Sequence, residues 1–258
     1  MITGIDFVSI PVIDMARARA FYRDTLGLKP VPPAGEAWDE FDKEKNAGAS
    51  TAESWVEFDL GDGPALALVD NAAYGVPTAP VTAGSLAIAF QDFEGMVELM
   101  KQQGRLKQDA FESPGCHGAF FTDPEGNAMC LHRRKAEPAR DRMIDFVVLP
   151  VEDMARARAF YEGELGLTPA TVSEAMWTEY VLPDDSALAL GDMRAMGIPF
   201  APNIGGAVGF RTQALDAAFA KLKALGMASA EELLESPVCH MAFVHDPEGN
   251  ELILHRHK

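Results

Sequence analysis

In the segment Ile5–Val12 the apolar Val8 and Ile10 alternate with Phe7 and Ser9, the period-two pattern of a strand that buries one face. Val8 and Ile10 are expected under a helix, which turns Phe7 and Ser9 the other way. The period then changes. Met15, Ala18, Phe21 and Tyr22 make a helical stripe behind an N-cap at Asp14, and Gly27 stands at the favoured C-terminal glycine position. Alternation returns in Trp55–Leu60 and Ala65–Val69, which read as hairpin strands. Strand, helix and strands then follow once more, as Ser85–Phe90, Glu94–Gln103 and the apolar runs up to His132.

The whole series is written twice. Asp14-Met15-Ala16-Arg17-Ala18-Arg19-Ala20-Phe21-Tyr22 recurs as Asp153-Met154-Ala155-Arg156-Ala157-Arg158-Ala159-Phe160-Tyr161, and Asp-Pro-Glu-Gly-Asn closes both halves at Asp123–Asn127 and Asp246–Asn250. A self-match of this length marks a duplication. The second copy predicts strands at Ile144–Val151, Trp177–Leu182, Ala187–Leu190 and Ala207–Arg211, with helices after Asp153 and over Leu215–Leu225. The chain therefore reads as four βαβββ units, two per half. The first domain is expected over 1–132 and the second over 143–258. Between them the charged, proline-broken run 133–142 reads as a linker.

At 258 residues each half is long enough to bury its own core. A formal net charge of −17 argues against nucleic acid and would steer a cationic ligand favourably. Three cysteines are too few for a disulfide framework, no secretion-signal pattern opens the chain, and no apolar run nears the roughly 20 residues of a membrane span. A cytoplasmic protein is expected.

Three features together resemble the glyoxalase, bleomycin-resistance and extradiol-dioxygenase superfamily, also called vicinal oxygen chelate proteins: the strand–Asp–helix–Phe-Tyr–Leu-Gly run, Trp55-Val56-Glu57-Phe58, and the twice-used Asp-Pro-Glu-Gly-Asn. The resemblance covers nearly the whole chain. It implies an α+β fold of two tandem domains, paired units curving into an open cup of mixed sheet with helices outside, and an internal pseudo-dimer in a monomer, or a homodimer. It also implies one divalent metal per active cup, held by His, Gln and Glu. The matching positions here are Phe7, Ala67, Ser85 and Cys130 in the first half, and Phe146, Ala189, Ala207 and Ile253 in the second. Only Cys130 among them is a strong ligand, so no cofactor is expected at the usual place.

Strand parity turns other polar residues inward: Trp55 with Glu57, Trp177 with Glu179, and His132 and His255 at the closing strands. If Phe120 and Phe243 pack in the core, His117 and His240 join them. Three readings stay open. Glu57/His132 and Glu179/His255 are candidate acid–base pairs for a lyase or isomerase. The same groups also suit a displaced metal site, or they hold the cup edges and bind a ligand without turning it over. Adjacent Cys116-His117 and Cys239-His240 point to opposite faces, so a side-by-side thiol and base is not expected there. The halves also differ. Gly27 to Trp55 spans seventeen residues more than Gly166 to Trp177, and Trp38 and Phe41 in the insert are expected to cover the first cup. Arg211 faces inward where the first half has Ala89, suited to a ligand carboxylate or phenolate. The function expected is metal-independent capture of a small, partly aromatic molecule against Phe7, Trp55, Phe146 and Trp177, with Cys130 at the same surface. The alternative is a glyoxalase-type lyase, isomerase or dioxygenase-like enzyme.

Overall fold

The computed structural model describes residues 2–31, 54–77, 79–136, 140–173 and 176–258, so Trp38 and Phe41 lie outside the described residues. The four units are all present. The first contributes β1 (Ile2–Pro11), β2 (Lys29–Pro30), β3 (Trp55–Asp59) and β4 (Ala65–Val69), and the second β5 (Ser85–Ala89), β6 (Phe111–Glu112), β7 (Cys116–Thr122) and β8 (Ala128–Arg134). The third gives β9 (Met143–Val151), β10 (Pro169–Ser173), β11 (Trp177–Val181) and β12 (Ala187–Asp192), and the fourth β13 (Val208–Thr212), β14 (Leu234–Glu235), β15 (Cys239–His245) and β16 (Glu251–His257). Strand β8 runs to Arg134, two residues into the expected linker.

These strands make two eight-stranded mixed sheets, and the units pair across the halves. Sheet I joins the first unit to the fourth through the antiparallel seam β1·β13. Sheet II joins the second to the third through β5·β9. The expectation that both units of one half share a cup is thereby corrected. Phe7 and Ala67 share sheet I with Ala207 and Ile253, while Ser85 and Cys130 share sheet II with Phe146 and Ala189. Glu57 and His132 fall on different sheets.

The helices after β1 and β9 open as their caps predict, with Asp14 accepting from Arg17 N and Asp153 from Arg156 N, both at 3.0 Å. Gly27 and Gly166 close them at φ +70° and +72°, where a β-carbon would be strained. Ala18, Phe21 and Tyr22 are buried beneath. Helix-side residues of both sheets merge into one core, from Ile5 and Phe58 to Phe121, Tyr180 and Phe210.

The two units of one half are tied by the Asp-Pro-Glu-Gly-Asn turn, whose Asp is buried in both copies. Asp123 accepts from its own turn, Glu125 N at 2.9 Å and Asn127 N at 2.8 Å, and from Tyr22 Oη at 2.9 Å in the first unit. Asn127 Nδ2 donates to Asp123 and also to Pro11 O, at 2.8 and 3.0 Å. Glu125 accepts from Ile13 N, Asp14 N and Arg17 Nε, satisfying the start of the first helix. Asp246, Glu248 and Asn250 repeat this against Tyr161, Glu152 N, Arg156 and Pro150 O. Burial pushes both aspartates up and their donors only partly offset it. Tyr161→Phe removes one donor from a fully buried carboxylate and should lower unfolding free energy by about 1–3 kcal/mol. Urea denaturation checks it, and an unchanged midpoint would show that the tyrosine is not part of the tie.

Candidate functional site

The inner face of sheet I is built from alternate residues of its strands. Phe7, Ala207 and Ile253 are buried there, with Trp55, Ala65, Met241 and Phe243 packed on them. Phe7 meets Trp55 edge-on at 5.7 Å and His255 at 5.5 Å. Gly209 allows this, because a β-carbon there would stand 2.6 Å from the Phe7 ring. Trp55 Nε1 donates to Glu57 Oε1 at 2.8 Å, so the tryptophan edge and the carboxylate hold each other. A small cleft opens beside this floor, lined by Ser9, Trp55, Asn71, Phe243, Glu251 and Ile253.

Sheet II carries the same row, with Phe146 edge-on to His132 at 5.0 Å and to Trp177 at 6.2 Å, and Trp177 Nε1 donating to Glu179 at 2.8 Å. Its floor is covered differently. Met193 is buried against Val148 and Ala189, with Met196 and Phe200 packed beside them. The residue in the matching position of the first half is Asn71, which donates to Gly205 O at 2.8 Å. Sheet II is thus plugged by its own side chains at the place where sheet I has a cleft.

Neither histidine pairs with the expected glutamate. His255 Nδ1 lies 2.5 Å from Asp6 Oδ2, and His132 Nδ1 2.6 Å from Asp145 Oδ2. Strict alternation would turn both aspartates toward the helices. Two residues of β1, from Ile5 to Phe7, span one step of β13 from Phe210 to Gly209, so Asp6 is the extra residue of a β-bulge. Asp145 is the extra residue between Ile144 and Phe146 on the other seam. The bulge brings the carboxylate to the same side as the following phenylalanine. A signal was present, since an Asp inside an apolar strand in both copies demands a buried partner.

Arginines complete each pair. Asp6 takes Arg211 Nε at 2.5 Å, and Asp145 takes Arg134 Nε at 3.0 Å and Arg140 Nη1 at 3.2 Å. Burial works to raise both carboxylates, but these partners win and hold them below the usual carboxylate range. Burial also works against a charged His255, but Asp6 and the neighbouring Cys239 thiol outweigh it and carry it up to about 9. His255 is therefore an imidazolium near neutral pH. The cysteine beside it comes from the facing strand, where Cys239 is opposite His257, not from the Cys-His dipeptide.

The other expected residues fall into place unequally. His117 and His240 do not face the cups, which corrects that expectation: Ala119 and Phe121, and Ala242 and Val244, take the helix-side core, so Phe120 and Phe243 lie on the inner faces. His117 instead packs against Phe93, and His240 faces Glu235 at 3.5 Å. Arg211 is engaged by Asp6 and, at 3.4 Å, by Asp184. Cys130 is on the inner face of sheet II, but burial pushes its thiol up to about 12, so it stays protonated.

A family model described as Glyoxalase/Bleomycin resistance protein/Dioxygenase superfamily matches residues 4–131 and 143–254. The chain belongs to this superfamily. Glyoxalase I from Zea mays has the same fold, at a TM-score of 0.59 and 20% identity over 98% of this chain and 92% of that one. A mutant of the maize enzyme gives 0.62 at 21% identity, covering 98% and 93%. A candidate dioxygenase from Bacillus subtilis gives 0.65 at 12%, covering 98% and 85%. No curated protein matches the sequence.

The metal that the resemblance implies does not fit the corresponding side chains of this superfamily member. Phe7, Ala67, Ala207 and Ile253 offer no donor atom on sheet I. Phe146, Ala189, Ser85 and the protonated Cys130 make no ligand set on sheet II.

The His255–Asp6 pair sets a pH dependence. Its imidazole proton is held more tightly in the folded chain, about 9 against 6.5, so the stabilisation is complete below pH 6.5 and disappears as pH rises through 9. Thermal unfolding midpoints measured across that interval should fall more steeply for the natural chain than for His255→Gln. Equal slopes would mean that the pair does not couple to folding.

Proposed function

We propose that the protein captures a small, partly aromatic organic molecule on the inner face of sheet I, without a metal at the superfamily's usual ligand positions. The observation that carries this reading is the replacement of those positions by an apolar floor of Phe7, Ala207 and Ile253 beneath Trp55, next to an open cleft. Aromatic walls with a few polar groups, here Ser9, Asn71 and Glu251, suit a ring bearing one or two polar substituents. The net charge of −17 favours a cationic ligand during encounter.

Sheet I is the better host because Met193, Met196 and Phe200 already occupy the equivalent ground on sheet II. A panel of small aromatic cations, neutrals and anions, followed by tryptophan fluorescence, should yield saturable binding. Asn71→Met gives sheet I the plug of sheet II and should weaken that binding about tenfold or more with the fold intact. Trp55→Ala should do the same, at about 1.5–3 kcal/mol, while Trp177→Ala should matter far less. Equal affinities for the natural chain and Asn71→Met would remove the cleft from the reading.

The buried Asp–His pairs favour a second reading, a glyoxalase-type lyase or isomerase that moves a proton next to a carbonyl. An aspartate that fixes one imidazole nitrogen leaves the other to exchange a proton with substrate. An enzyme of this kind keeps its affinity and loses turnover in His255→Gln, whereas a binding protein shows no turnover to lose.

A further inference from the structure

One end of sheet I carries a cluster that the binding floor does not use. Asp6, His255 and His257 each present a ligand atom, and all three atoms lie within 4.8 Å of one another. Asp6 Oδ2 is the point of convergence, 2.5 Å from His255 Nδ1 and 3.5 Å from His257 Nε2. The two histidines are alternate residues of β16 and share its inner face, with ring centroids 4.6 Å apart. Arg211 occupies the other oxygen of Asp6, fixing the carboxylate with Oδ2 directed at the imidazoles. His257 is largely exposed, which leaves room for water or an exogenous ligand.

We propose that Asp6, His255 and His257 bind one late first-row divalent cation, such as Zn2+ or Co2+, at this edge of sheet I, the ion replacing the proton that His255 Nδ1 shares with Asp6 and releasing it to solvent. Two imidazoles and one carboxylate with open positions form a set that such ions accept, and one that Mg2+ or Ca2+, which prefer all-oxygen shells, do not. The site is distinct from the positions the superfamily resemblance marks, which lie on the apolar floor.

The duplication supplies an internal comparison. In the other copy the Asp and the first His are kept as Asp145 and His132, but Arg134 stands where the fourth unit has His257. Its Nε is 3.0 Å from Asp145 Oδ1. A guanidinium has no lone pair to offer a metal, so the third ligand is missing there. Sheet II is therefore closed to the ion and the stoichiometry is one per chain.

The test is a titration of the untagged, metal-free full chain with Co2+, followed by its visible ligand-field absorption, with Zn2+ competition to give affinity. The expected result is saturation at one equivalent. His257→Arg copies the closed site onto an exposed position and should weaken Co2+ binding about tenfold or more, with the far-UV circular dichroism unchanged. His245→Ala, at the opposite end of β15, should bind like the natural chain. No saturable absorption, an unaltered affinity in His257→Arg, or an equal loss in His245→Ala would each overturn the site. The inference does not rest on the aromatic capture proposed above: fluorescence reads that binding and cobalt absorption reads this one, so either can fail alone.

Discussion

Two buried carboxylates, Asp123 and Asp246, hold the architecture together. Strand pairing joins units from opposite halves, so it does little to fix the two units of one half against each other. The Asp-Pro-Glu-Gly-Asn turns do so instead. Each sends a carboxylate from one sheet to the tyrosine of a helix that packs on the other, and an asparagine to the end of β1 or β9. A charge taken out of water is costly unless donors surround it. Each aspartate receives backbone N–H, asparagine and tyrosine donors together, and that requirement admits few alternative placements of the helix. Because the tyrosine donor and the asparagine's bond to the strand end are both lost if one unit rotates, the tie specifies geometry more than it adds net stability.

With the units oriented in this way, the seams β1·β13 and β5·β9 decide what reaches the inner faces. A regular ladder would give each an apolar row and nothing more. The extra residue between Ile5 and Phe7, and its counterpart between Ile144 and Phe146, brings an aspartate to the apolar side, next to a phenylalanine and against a histidine. Burial disfavours such a carboxylate, but the imidazole and the arginine outweigh it in both copies. One ladder irregularity thus converts an apolar surface into one with a charged, hydrogen-bonded edge.

Much of this is legible in the sequence, and the limits have definite physical causes. The Asp caps, the helix-closing glycines and the alternation in Trp55–Asp59 are local rules, and the structure follows them. Which units share a sheet is a long-range choice that no local pattern encodes; β1 meets β13 some two hundred residues away. Parity arguments hold where the ladder is regular, as for Phe7, Trp55 and Glu57, and fail where a bulge shifts the count, as for Asp6 and Asp145. For His117 and His240 the failure is different. The run Ala119-Phe120-Phe121 offers two aromatic candidates for the core on opposite faces, and the smaller Ala119 with Phe121 wins because the helix side is already crowded by Phe21 and Phe93. Cys239 lay beyond reach for a related reason, since its neighbour is supplied across the hairpin and not along the chain.

Three differences between the copies run in one direction, against the opposite sense of Ser85 and Cys130 on sheet II, which match Ala207 and Ile253 on sheet I. Sheet II has Met193 over its floor, Arg134 on its aspartate and Ala89 at its edge. Sheet I has Asn71, His257 and Arg211 in the same positions. Each of these three changes in sheet II replaces a polar group of sheet I with a filler, a fixed cation or a methyl. The motifs that orient the units, by contrast, are the same in both copies. If the copies had diverged only under a demand for stability, both floors would be expected to fill, because an open apolar cleft forgoes packing contacts that a methionine would recover. That sheet I has kept its cleft and its exposed histidine is the contrast on which the proposed capture at this face rests.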